Sequence, residues 1–339
     1  SELEMRKEYL GGETIETIYW GGGTPSQLDK EDFETIFYYL HKNYSISSHP
    51  EITLEANPDD LTPDYIAMLR TLPFNRLSMG IQTFNESILK VLQRRHTARQ
   101  AIEAFQNCRA AGFQNISIDL MYGLPGETLS TWQQDLDQAL LLHPEHLSAY
   151  HLIYEEDTVL WKLREQHKVE EADEDLSVSL FSTLIDRLTS EGYDHYEISN
   201  FSLPGLYSRH NSSYWTEKKY LGCGPSAHSY NGVSRQWNVA SLDTYIKGIS
   251  AGTPVFEIEE LDLYTRYNDF VITRIRTEWG MPLSKLRDEF GEKLYDYCLR
   301  MAAPHLKQGT LELVNDILKL TRKGIFISDG IMSDMLWTD

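Results

Sequence analysis

The stretch IETIYWGGGTP, residues 15 to 25, runs from an apolar segment into three consecutive glycines, then Thr24 and Pro25. Glycine lacks a Cβ and costs conformational entropy in regular structure, so three together need a reason. Either the turn is unusually sharp or a ligand lies against bare backbone; the glycines alone fit both. Similar punctuation recurs downstream. The segments EANP, GIQTF, DLMYGLPGE and YHLIYEEDT each close a short apolar run with polar or glycine-bearing residues. They place Glu55, Gln82, Asp119 and Tyr154 at run ends. Any one of these is as readily a helix cap or turn residue as a ligand contact. As a series they point to a shared face.

Positioning such residues takes alternating strands and helices. Apolar, β-branched and aromatic runs mark strands at Ile15–Trp20, Glu51–Glu55, Arg76–Ile81, Asn115–Met121 and His146–Ile153. Helical patterns fill Lys30–Asn43, Pro63–Leu72, Asn85–Gln93, Thr97–Ala111 and Thr128–Leu142. Asp29 precedes the first helix, Thr62-Pro63 is an N-cap followed by proline, and Gly112 stands where a C′ glycine belongs. Strand–helix alternation implies parallel strands with right-handed crossovers, hence an open or barrel-like α/β sheet. Ligands of such sheets bind at the carboxyl ends of the strands.

Composition narrows the partners. Lys plus Arg is 31 against 51 Asp plus Glu, a formal charge of -20, which argues against nucleic acid or an anionic membrane surface. The excess acid is read as solubility. No run is long and apolar enough to span a bilayer, and no signal peptide is visible, so a cytoplasmic setting is expected. Cys108, Cys223 and Cys298 are far apart and odd in number, which implies neither a disulfide framework nor a local metal knuckle. The opening SELEMRKEYLGGE reads as the middle of an amphipathic helix, and the natural chain is expected to begin upstream.

The ordered series IYWGGGTPSQL, ITLEANPDDLT, RLSMGIQTFNESILKVLQRRHT, ISIDLMYGLPGET and LSAYHLIYEEDT, across residues 15 to 158, resembles the radical S-adenosylmethionine (SAM) family of oxygen-independent coproporphyrinogen oxidases and their heme-chaperone relatives. The likeness continues through SRHNSSYW and YLGCGPSAHSY, residues 208 to 230. It implies an α/β fold: a partial parallel (β/α)6 barrel of radical-SAM type with a smaller C-terminal helical, winged-helix-like domain. The divisions expected are a barrel over 1–200, a connecting region over 201–240 and the C-terminal domain over 241–339. By the resemblance, Gly22, Gly23, Thr24, Glu55, Gln82, Arg94 and Asp119 bind SAM. The glycines would let its methionine end rest on exposed backbone. Arg94 offers a planar fork to the methionine carboxylate, and the acids accept from ribose hydroxyls and the ammonium group. Which acid takes which donor stays open, and Arg94 in QRRHT also reads as a solvated helix end. The family holds a [4Fe–4S] cluster on a C-x3-C-x2-C loop after its first strand. That motif is absent from this sequence, so the cluster ligands are expected upstream of Ser1, and without a cluster no electron source exists to cleave SAM.

HNSSYW matches the HNxxYW motif of the heme-chaperone branch. The resemblance implies heme or porphyrin as partner, His210 as the ligand of the heme iron, and Tyr214 and Trp215 as flat apolar faces. By itself a histidine beside aromatics is also a common packed loop residue. His228 in GPSAHSY is a second candidate, and Cys223 between glycines could be a thiolate ligand or simply a small residue. Beyond Trp237 a helical stretch and a strand pair around TRKG suggest the winged-helix-like module, read as a lid or docking domain because the acidic chain disfavours DNA. EEADEDL, 170 to 176, reads as a solvated helix start. Three functions follow: a heme chaperone that transfers heme to an acceptor protein; an oxygen-independent coproporphyrinogen III oxidase, whose radical would abstract hydrogen from propionate chains; and an unrelated α/β enzyme with a phosphorylated ligand at the glycine turn. The barrel motifs fit the first two equally, and HNxxYW favours the first.

Overall fold

The computed structural model describes residues 1–338. Its strands are β1 (Ile15–Trp20), β2 (Ile46–Ala56), β3 (Arg76–Gln82), β4 (Ile116–Tyr122), β5 (His146–His151), β6 (Asp194–Glu197), β7 (Asn200–Ser202), β8 (His228–Tyr230), β9 (Ser234–Asn238), β10 (Phe256–Glu260), β11 (Met281–Pro282), β12 (Leu311–Val314) and β13 (Ile317–Leu320). The helices are α1 (Glu2–Met5), α2 (Lys30–Asn43), α3 (Pro63–Leu69), α4 (Glu86–Val91), α5 (Ala98–Ala110), α6 (Leu129–Leu141), α7 (Val159–Glu165), α8 (Glu174–Ser190), α9 (Arg209–Trp215), α10 (Leu242–Ser250), α11 (Leu263–Ile275), α12 (Leu283–Gln308), α13 (Arg322–Ile325) and α14 (Ser328–Met335). Two compact units form. One comprises Thr17–Glu34 and Pro50–Ser208; the other comprises Ser1–Glu16, Thr35–His49 and the chain from Arg209 onward.

The first unit is built on a curled sheet of order β1-β2-β3-β4-β5-β7-β6. Strands β2 to β5 pair in parallel, and the β6–β7 pair adds an antiparallel end. The expected partial-barrel sheet is therefore formed. Side-chain alternation divides its faces. Leu54, Leu77, Met79, Ile81, Ile116, Ile118, Leu120 and Leu147 are fully buried against the helical layer. The intervening positions are Thr53, Glu55, Arg76, Ser78, Ser117, Asp119, His146 and Ser148. A parallel sheet is usually apolar on both faces. Here the inner face is polar, which is what a polar ligand within the curl requires.

Helix ends follow the sequence signals. Thr62 Oγ1 accepts from the Tyr65 backbone N–H, and Asp29 Oδ1 accepts from that of Asp32. Asn85 caps α4, Thr97 and Gln100 form a capping box, and Asp173 in the acidic stretch caps α8. Gly112 takes φ 99° after α5. Strand β2 begins earlier than expected, at Ile46, because Pro50 is accommodated in it while its carbonyl accepts from Asn75 Nδ2 at 2.8 Å. The opening segment forms only the short α1 before turning at Gly11 and Gly12, both at positive φ.

The second unit contains two three-stranded antiparallel sheets, β10-β9-β8 and β11-β13-β12. Tyr267, Phe270, Val271 and Ile275 of α11 are buried with Leu286, Leu294, Cys298 and Ala302 of α12, Leu318 and Met335. Helix–strand–helix–strand–strand order matches the expected winged-helix-like module. The strand pair, however, turns at Asn315 and Asp316, not at TRKG. Both turn residues have positive φ, 49° and 70°, the geometry a tight hairpin needs and Asn and Asp tolerate. TRKG instead starts α13, with Thr321 as its N-cap. No helix of the described residues is long and apolar enough to cross a membrane.

Gly324 is held by packing: a Cβ there would lie 1.9 Å from the Thr310 carbonyl oxygen, whereas one on Gly330 of α14 meets nothing within 4 Å. Gly324→Ala should therefore lower stability by roughly 1–3 kcal/mol. Gly330→Ala should leave it unchanged or raise it by up to about 1 kcal/mol. Urea unfolding checks both; equal midpoints would contradict the packing described.

Candidate functional site

The glycine turn follows β1. Gly22 and Gly23 have φ 72° and 61°, a region L side chains rarely adopt, and a Cβ on either would meet no atom within 4 Å. Their backbone faces open space. Gly21 serves a different end. A Cβ there would come within 2.5 Å of Tyr19 and 2.8 Å of Glu55 Oε1, so its bareness lets Glu55 approach the turn. Glu55 then fixes the loop: Oε2 accepts from the Gly22 backbone N–H at 3.1 Å and Oε1 accepts from the Tyr19 hydroxyl at 2.7 Å. Thr24 follows, and its carbonyl starts the short turn Pro25–Gln27.

Gln82 ends β3 with φ 71°, beside a register shift between Gly80 and Gln82. A non-glycine residue in that conformation is held there by its surroundings. Asp135 of α6 does much of the holding. Its carboxylate accepts from the Thr83 hydroxyl at 2.5 Å and the Phe84 backbone N–H at 2.9 Å. Both Thr83 and Asp135 are buried. Arg94 is not the solvated helix end that QRRHT also allows. Its Nη2 donates to Asn57 Oδ1 at 2.7 Å and to the Gly80 carbonyl at 2.8 Å, while the buried Nε has no partner. A Cβ on Gly80 would lie 3.0 Å from Gln82 Nε2 and 3.6 Å from Arg94 Nη2, so amide and guanidinium meet over this bare residue.

Asp119 sits on the inner face of β4, in register with Gly80 on one side and Ser148 on the other. The Ser78 hydroxyl lies 3.2 Å and 3.3 Å from its two carboxylate oxygens, and Ser78 is in register with Glu55. Glu55, Ser78, Gly80, Gln82 and Asp119 are thus neighbours across three adjacent strands. Asp119 keeps slight solvent access, yet the crowding of the inner face pushes its carboxyl up to about 6. Bonds from Ser148 and Ser78 and the charge of Arg76 oppose the rise, and the Glu55 charge adds to it. Arg76, 1% exposed at the start of β3, was not foreseen as part of this polar interior. Tyr154, grouped by sequence with the strand ends, lies elsewhere, packed with Ile88, Leu124 and Leu152.

HNSSYW forms α9, not a loop. His210 Nε2 and the Tyr214 hydroxyl are 3.0 Å apart, and their rings meet edge-on at 5.2 Å. Tyr214 is 38% exposed. Arg276 lies over the Trp215 ring at 4.4 Å, and the buried Trp215 Nε1 has no hydrogen-bond partner. Cys108 and Cys298 are buried, Cys108 within α5. Cys223 retains exposed surface, but its thiol is crowded and beside Glu2, which raises it to about 12 and keeps it protonated.

The Asp119 shift has a sign that can be checked. A carboxyl raised from 3.8 to about 6 on folding is fully compatible with the native state below pH 4 and costs stability as pH climbs through 6. Asp119→Asn removes that cost. Without ligand, the variant should be more stable than wild type by about 1–3 kcal/mol above pH 6, with the gap closing toward pH 4. Denaturant unfolding from pH 4 to 8 tests this, and a gap that does not change with pH would refute it.

The model for the radical SAM superfamily matches residues 2–139, and that for the HemN C-terminal domain matches 261–327. The heme chaperone HemW of Mycobacterium tuberculosis strain H37Rv is 32% identical over 337 residues, 99% of this chain and 84% of the relative. HemW of Lactococcus lactis is 32% identical over 330 residues, 96% of this chain and 86% of the relative. Among solved structures, coproporphyrinogen III oxidase HemN from Escherichia coli, a radical SAM enzyme, superposes with TM-score 0.83 at 23% identity, over 98% of this chain and 81% of that one. The glycine turn, the polar strand ends and the HNSSYW helix thus belong to a chain that is a member of the HemW family of radical SAM proteins.

Proposed function

We propose that this chain is the body of a heme chaperone: it binds heme at the HNSSYW helix and passes it to an acceptor protein, on a scaffold that also binds SAM. The observation that carries the heme reading is the accessible His210–Tyr214 pair on α9, supported by the names of its HemW relatives. A neutral imidazole is a natural axial ligand for heme iron. Tyr214 and Trp215 would offer flat apolar faces beside it, Trp215 with Arg276 over one side of its ring.

For SAM, the open backbone at Gly22 and Gly23, with Thr24, would carry the methionine end. Arg94, whose buried Nε awaits a partner, would donate to the methionine carboxylate. Glu55 and Asp119 would accept from ammonium or ribose hydroxyls, and a cationic ligand would draw the proton off Asp119. Gln82 can both donate and accept at the same edge. The residues fit such a ligand by their chemistry: acceptors for its ammonium and hydroxyl groups and a guanidinium for its carboxylate. Beside a reduced [4Fe–4S] cluster, SAM supplies a 5′-deoxyadenosyl radical. Among the described residues no group of three His, Cys, Asp or Glu could hold such a cluster, so no step is assigned through it. In this reading residues 1–200 serve SAM, 201–240 serve heme, and 241–339 form a docking module.

The second reading, an oxygen-independent coproporphyrinogen III oxidase, draws on the HemN fold. Two experiments on the full-length protein separate them. In a heme titration followed at the Soret band, His210→Ala should weaken binding about tenfold or more, about 1.4 kcal/mol. Superimposable curves would remove His210 from the account. With its cluster rebuilt anaerobically, the wild type should not convert coproporphyrinogen III; protoporphyrinogen formed at catalytic rates would establish the oxidase.

A further inference from the structure

A line of rings leaves His210. Its edge-on neighbour Tyr214 lies 4.8 Å from the Tyr220 ring, and Tyr220 lies 6.1 Å from Tyr230. The last two are locked by reciprocal backbone bonds of 2.9 Å in an isolated antiparallel bridge. Tyr230 and His228 stand two apart on β8 and so project from the same face. His228 is in register with Trp237 of β9, and their rings stack at 6.0 Å with 27° between planes. Trp237 is itself fixed by its Nε1–H donating to Glu257 Oε2 at 3.1 Å. Tyr214, Tyr220 and Tyr230 thus lead from His210 to the strand face that carries His228 and Trp237, all within one compact unit.

We propose that His228 is a second heme-iron ligand, at the far end of this ring strip from His210. The inference rests on the heme reading above and adds the second station. His228 is exposed, and its imidazole makes no hydrogen bond among the described residues. Stacking on Trp237 occupies the ring's face and leaves the in-plane nitrogen lone pair available to a metal. His210 differs, because its Nε2 contacts the Tyr214 hydroxyl and must exchange that contact to ligate through this atom. Porphyrin is flat and apolar, and Tyr214, Tyr220, Tyr230 and Trp237 would offer it aromatic surface along this side of the unit. Arg235 shares the face of Tyr230 and Trp237 and is paired with Asp269 and Glu259. Bound heme would have to exchange one of these carboxylates for a propionate to use it. A carrier must loosen its own ligand before heme can leave, and a second histidine along a greasy track lets the iron change ligands without entering water.

Heme titrations of full-length wild type, His210→Ala, His228→Ala and the double variant test this at the Soret band and by resonance Raman of the iron–histidine state. His210→Ala should retain a histidine-ligated spectrum. The double variant should lose it, with affinity about tenfold below His210→Ala, and free imidazole should restore the band. His41→Ala, an exposed histidine off the strip, should leave the His210→Ala spectrum unchanged. Circular dichroism and melting temperature confirm that His228→Ala is folded. A double variant indistinguishable from His210→Ala, or loss of ligation in His210→Ala alone, overturns the second station while leaving His210 in place. A wild type that takes up no heme overturns the heme reading and this proposal with it.

Discussion

A carboxylate on the inner face of a half-buried sheet must find a cation, a donor set or a proton. That constraint organises the first unit. Strand alternation sends leucine, isoleucine and methionine outward to the helices and leaves Glu55, Asp119, Arg76 and the serines within. Burying these groups without partners would be costly. Glu55 is satisfied by the Gly22 N–H and the Tyr19 hydroxyl, and Asp119 only by hydroxyls. Asp119 accordingly clings to its proton toward pH 6. A cationic, hydroxyl-rich ligand resolves that tension, and the same step would couple its binding to release of a proton.

Holding the inner face in shape falls to residues from outside the sheet. Gln82 needs a left-handed backbone to end β3, and such strain persists only where neighbours enforce it. Asp135 pins the next two residues from α6, His96 Nε2 contacts the Ile81 carbonyl at 3.1 Å, and Arg94 seizes the Gly80 carbonyl. The three ties surround the bulge. The polar ends of the strands are therefore held by side chains from segments that follow in sequence, Arg94 and His96 between α4 and α5 and Asp135 in α6.

How far these features could be read from residues alone depends on the range of the interaction behind each. Strands β1 to β5 and the caps Thr62 and Gly112 were legible because period-two alternation and capping are local. The hairpin at Asn315-Asp316 was local too, but TRKG competed as the stronger-looking turn until Thr321 proved to be a cap. Arg94 was ambiguous for the opposite reason: nothing near QRRHT reveals that its fork reaches Asn57, 37 positions away. Asp135 and Arg76 were invisible, since an acid inside a helix and a base at a strand start look solvated until their partners are known. Gly21 was hidden by its neighbours. Three glycines look alike in sequence, yet one makes room for Glu55 and two leave backbone open.

The two binding readings stand on separate physics. As proposed, SAM recognition would depend on buried charge and bare backbone in the unit built on the parallel sheet. Heme recognition would depend on rings and imidazoles in the unit that includes the chain from Arg209 onward. A substitution at Asp119 changes an electrostatic balance that salt and pH can interrogate, while one at His210 changes a metal bond seen in the Soret band. Each can therefore fail alone. Loss of heme ligation would leave the carboxylates still in need of a cation, and loss of SAM binding would leave His210, His228 and the rings between them unchanged.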